Sequence, residues 1–110
     1  MAMGGGYHVM ASDLNPSTPA KGLNAFTLSV RDEAGAPLSG LTLTVEPFMP
    51  AHGHGTSPAT FTAVAVEGAE GAYRFEGVNL IMAGLWELRL SVGAEGADPV
   101  GLTLVVCVAP

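Results

Sequence analysis

Apolar and polar residues alternate along most of this chain with a period of two. Phe26, Leu28 and Val30 fall on one side of the run Asn24–Asp32. Leu41, Leu43 and Val45 alternate with Thr42, Thr44 and Glu46, and Trp86, Leu88, Leu90 and Val92 alternate with Glu87, Arg89 and Ser91. Successive side chains of a strand point to opposite faces, so each run predicts a strand with one face turned to a core. Tyr7–Ser12, Ala59–Val66, a run through Tyr73, Phe75 and Val78, and residues 100–108 complete a set of seven. Turn-forming residues separate them: Pro16 and Pro19 within Asp13–Gly22, then Glu33–Pro37, Gly68–Gly71 and Gly93–Pro99. No apolar i, i+3, i+4, i+7 spacing lasts three turns, so no helix is expected. Seven short strands joined by such turns predict an all-β fold, an antiparallel immunoglobulin-like β-sandwich.

Length changes this picture little: 110 residues suit one domain over 1–110, with the glycine run in Met1–Gly6 expected as a flexible leader. Hydrophobic residues at 48% against 13% charged exclude a disordered chain. Charge excludes more. Four Lys and Arg face ten Asp and Glu, a formal net charge of -6, and no basic cluster exists to neutralise nucleic-acid phosphates or an anionic membrane surface. No nucleic-acid partner is therefore expected. Cys107 is the lone cysteine, which excludes an internal disulfide and any CxxC motif. Its place in Leu102–Val108 reads as a small buried hydrophobe in a terminal core strand. No apolar run reaches the length of a membrane-spanning helix. The opening residues lack the basic and apolar regions of a signal peptide, so the compartment has to be argued from chemistry.

That chemistry concentrates in Met49-Pro50-Ala51-His52-Gly53-His54-Gly55. In an extended segment His52 and His54 would point to the same side, and the glycines allow the backbone to bend them together. Met49 precedes His52 by three residues, and Met82, in Ile81-Met82-Ala83-Gly84-Leu85-Trp86, would approach from another strand or loop. Two imidazoles and two thioethers suit a soft ion, Cu(I) above all. Methionine in place of cysteine also suits an oxidising compartment, where thiols are lost. Trp86 is expected in the core beside these residues. The competing reading is plain: a glycine-rich loop that only connects strands, and a methionine that fills a core. His8 and Met10 form a second i, i+2 pair and read as decoration of an edge strand in preference to an extension of the site. Catalysis is not expected. The chain lacks a G-x-S-x-G elbow, an HExxH helix, a P-loop and a cysteine near a histidine, and zinc hydrolysis would need a third nitrogen or carboxylate ligand.

Several segments together resemble the YtkA-like domains, small exported or membrane-anchored bacterial proteins associated with copper handling. The carriers are Gly22-Leu23-Asn24-Ala25-Phe26, the turn Asp32–Gly40, the loop Met49–Gly55, Gly71-Ala72-Tyr73 and Met82-Ala83-Gly84-Leu85-Trp86-Glu87-Leu88. The Met-His loop and the Met-x-Gly-x-Trp segment are the specific parts. The resemblance implies an immunoglobulin-like fold, a periplasmic or extracellular location with membrane anchoring of a full-length form, and a copper site at Met49, His52, His54 and Met82. A carrier, buffer or metallochaperone for Cu(I), handing it to a copper-accepting membrane protein, is the expected role. The alternatives are a non-catalytic structural or interaction module of a bacterial surface or membrane-associated complex, and a subunit of a larger redox or efflux assembly.

Overall fold

Alternation becomes pairing in the computed structural model, which describes residues 2–110. Nine strands and no helix occur among those residues: β1 (Ala2–Gly4), β2 (Tyr7–Asn15), β3 (Gly22–Arg31), β4 (Thr42–Phe48), β5 (Phe61–Thr62), β6 (Val64–Ala65), β7 (Ala72–Leu80), β8 (Gly84–Gly93) and β9 (Val100–Val108). They form two sheets, β1-β2-β3-β7-β6 and β5-β4-β8-β9, and every pairing is antiparallel. With β2, β3, β7 and β6 in one sheet and β4, β8 and β9 in the other, the strand order is that of immunoglobulin-type sandwiches.

The inward faces are the ones the alternation marks. Leu28, Val30, Leu43, Val45, Leu90 and Val92 are buried, with Trp86 and Phe75 the largest fully buried side chains. Phe26 stacks on Phe75 at a centroid distance of 5.2 Å. Each such aliphatic or aromatic side chain contributes roughly 1.5–3 kcal/mol on leaving water. Two polar side chains drawn inward are fully engaged. The buried Asn24 donates to the carbonyls of Ala20 (2.8 Å) and Gly22 (2.9 Å) and accepts from the Ala20 amide (3.0 Å), which anchors the long loop before β3. The Tyr73 hydroxyl donates to the Leu38 carbonyl (2.7 Å) and accepts from the Leu41 amide (3.1 Å), pinning the crossover from β3 to β4.

Three details differ from the sequence expectation. The glycine-rich leader contributes β1, whose Ala2 pairs with Val9 and packs on the core; Met1 lies outside the described residues. Glycines here serve a hairpin turn at Gly5 and Gly6, both with positive φ, rather than a flexible tail. The run Ala59–Val66 is not one strand. Phe61-Thr62 pairs with β4, the Ala63 amide donates to the Leu43 carbonyl (3.0 Å), and Val64-Ala65 pairs with β7, so the chain passes from one sheet to the other. Finally, Cys107 is exposed. Leu102 and Val108 point into the core from β9, which turns Thr103, Val105 and Cys107 outward by the same period of two.

Candidate metal centre

Pro50 has no amide proton and cannot extend the β4 ladder, so the chain turns directly after Met49. A four-residue loop, 50–53, results. The Met49 amide donates to the His54 carbonyl (2.8 Å), and the Met49 carbonyl accepts from the amides of Gly53 (2.9 Å) and His52 (3.2 Å). Gly53 closes the turn at φ +65°, a left-handed conformation that glycine takes without cost. It is this turn, not extended backbone, that brings the His52 and His54 rings to a centroid distance of 5.8 Å. Gly55 follows because a Cβ there would sit 3.1 Å from the Pro47 carbonyl oxygen.

Each candidate ligand has a distinct setting. His52 is exposed at the tip. His54 is half-buried, and its Nδ1 lies 2.9 Å from the Gly55 carbonyl oxygen. A carbonyl only accepts, so in the neutral ring Nδ1 holds the proton and the Nε2 lone pair is free for a metal. Met49 roots the loop in the core at 1% exposure, its methyl directed at β8. A Cβ built on Gly84 would lie 2.8 Å from Met49 Cε, so the glycine opening β8 is the slot that the methionine fills. Met82 is 36% exposed at the rim. Its carbonyl accepts a hydrogen bond from the Trp86 indole nitrogen (2.9 Å), and the buried Trp86 ring meets His54 edge-on at 6.1 Å and 72°.

Met49, His52 and His54 thus share one tight loop. Met82 joins them at the same end of the sandwich through its backbone and Trp86. Sequence reasoning did not assign Gly84 its packing role or the Gly55 carbonyl its orienting role. The Gly-x-Trp pattern and the second loop glycine were the available signals.

The donors favour soft metals. Among the described residues no group of three His, Cys, Asp or Glu side chains is placed to hold an ion. Zinc sites are usually built from such groups, whereas Cu(I) also accepts thioether sulfur. The loop supplies two imidazoles, with Met49 at its root and Met82 at the same end of the sandwich. No helix of the described residues is long and apolar enough to cross a membrane.

Residues 1–91 match a protein-family model described as YtkA-like. No curated protein and no solved structure matches the chain.

Proposed function

We propose that this chain, which belongs to the YtkA-like family, binds copper as Cu(I) and carries, buffers or delivers it outside the cytoplasm. One observation carries the reading: the closed loop from Met49 to His54, which brings two imidazoles together on a turn rooted by a buried methionine and orients one of them by a backbone carbonyl. His52, His54, Met49 and Met82 are the ligands in this reading. The loop projects from the end of the sandwich, where an acceptor such as a membrane copper protein could reach the exposed His52 and take the ion by ligand exchange. Thioethers are neutral and hold copper without a proton to displace, which suits a cargo that must be released. No bond-making chemistry is assigned to the protein, and the choice of methionine over cysteine suits a periplasmic or extracellular setting.

One feature favours the rival reading, a structural or interaction module: Met49 is as buried as any core residue. Titration of Cu(I) against a competing chelator separates the two, using Met82→Leu and His54→Ala chains. Leucine is nearly isosteric with methionine, so the fold should lose less than about 1.5 kcal/mol. As a copper protein, each variant should bind Cu(I) at least tenfold more weakly, while weak Zn²⁺ binding through the histidines persists in Met82→Leu. Unchanged Cu(I) affinity in both variants would remove the loop from copper binding and favour the module reading of this end of the sandwich.

A further inference from the structure

The first hairpin holds three more soft donors, far from the Met49–His54 loop. Register places Met3 directly opposite His8, and Met10 follows two positions along β2. Direction is fixed by their neighbours. Val9 is fully buried, and its cross-strand partner Ala2 packs against the core. Met3, His8 and Met10 therefore share the opposite, solvent face of the five-stranded sheet. Met3 is 61% and Met10 58% exposed, while His8 is half-buried between them. Directly opposed residues in an antiparallel pair have Cβ atoms about 4.5–5.5 Å apart, and diagonal neighbours lie about 7–8 Å apart. Two flexible thioether arms on either side of an imidazole span that distance easily.

The surroundings suit a cation. Arg31, opposite His8 on β3, directs its guanidinium to the Gly35 carbonyl (2.9 Å) and is held in the following turn. An open cavity of about 200 Å³ is lined by His8 and Met10 together with Arg31 and the two carboxylates Asp32 and Glu33. The Glu33 carboxylate also reaches the β1–β2 turn, where a Cβ on Gly6 would be 4.0 Å from its Oε1. Asp32 already accepts two amide hydrogen bonds, from Ala34 and Ala36, so carboxylate oxygen is not the leading donor here.

This cluster and the loop lie at opposite ends. His8 pairs with Arg31 at the close of β3, the end at which β4 begins with Thr42 opposite Gly93. The loop follows Phe48, at the other end of β4. A seven-residue strand separates them, about 20 Å at 3.3 Å per residue. One ion cannot serve both.

We propose that Met3, His8 and Met10 form a second metal site, separate from the Met49–His54 loop, which takes Cu(I) through two thioethers and one imidazole. The donor set excludes a zinc or calcium site, because thioether sulfur is a poor ligand for either. No residue is shared with the loop, so the proposal stands or falls independently of the reading above.

The experiment uses the full chain with ¹³C-labelled methionine methyl groups, resonances assigned by single Met→Leu variants, and Cu(I) added without oxygen. In a His52→Ala/His54→Ala chain, one equivalent of Cu(I) should still bind, shifting the Met3 and Met10 methyl signals. Adding Met3→Leu and Met10→Leu should then weaken the retained binding at least tenfold, with amide spectra showing the β1–β2 register intact. His8→Asn should do the same without touching either methionine. In the unaltered chain, shifts at Met3 and Met10 alone would support this site and overturn the loop reading. Shifts at Met49 and Met82 alone, or retained affinity untouched by the Leu and Asn changes, would overturn the second site.

Discussion

Gly84 decides where Met49 can lie. The methionine methyl occupies the space a side chain would fill, and the backbone at φ +128° is one that other residues rarely adopt. Gly84→Ala should therefore destabilise the fold by about 1–3 kcal/mol, from strain and overpacking combined. Chemical denaturation would measure this. A loss below about 0.5 kcal/mol would mean that Met49 moves freely and that its buried position is incidental. The histidines carry a second residue-level expectation. A protonated imidazole cannot ligate, so protons compete with metal and Cu(I) affinity at the loop should fall as pH is lowered. Thioethers do not titrate, so some affinity should survive acidification. Competition titrations over a pH series test this, and a flat profile would remove His52 and His54 from the ligand set. At this scale the spacing of His52, His54 and Met49 was plain in the sequence. The slot at Gly84 was not, because the methionine that fills it lies 35 positions earlier, just past the end of β4.

Strands were legible where one face is buried along their whole length. β4 and β8 match the alternation closely because the core side of each is apolar, whereas in β3 the run Asn24–Leu28 is buried on both faces and alternation returns only at its end. Ala59–Val66 misled because Thr60, Phe61, Thr62, Val64 and Val66 are β-formers on either side of Ala63, yet the pairing partner changes at Ala63 and period-two patterning has no way to encode a change of sheet. Cys107 misled for a related reason. The run Leu104-Val105-Val106-Cys107-Val108 is apolar on both faces, so only the register with β8 reveals which face is inside. The nearness of Met3 to His8 likewise depends on a pairing that sequence spacing does not show. These differences carry an expectation for amide exchange. Central strands β3 and β8, each paired on both sides, should exchange slowest, while the two-residue strands β5 and β6 at the sheet edges should exchange at rates close to those of loops. Native-state hydrogen exchange followed by NMR tests the order. Protection of β5 and β6 equal to that of β8 would mean that the crossing segment is part of the most stable unit.

The whole molecule should hold its shape without metal. Its core is a continuous cluster running from Val9 to Val108, and the loop is closed by its own backbone hydrogen bonds. The metal-free chain should give the circular dichroism of a β-sheet protein and a cooperative thermal transition. Cu(I) should raise the midpoint by mass action, adding about 2.7 kcal/mol of stability per site with free metal at a hundred times the dissociation constant. An unfolded apo chain would instead make metal a structural requirement. The immunoglobulin-like order was legible at this scale because two-layer packing follows from alternation and turns. Trp86 adds a last consequence. It is the only tryptophan in the chain, and it sits against His54 in a molecule 38 Å long. An ion on the loop lies within reach of the indole ring, whereas one beside His8 occupies the far end. Native fluorescence is therefore a built-in optical gauge with a blind side: quenching reports occupancy of the loop alone, and copper that binds without dimming Trp86 has gone elsewhere.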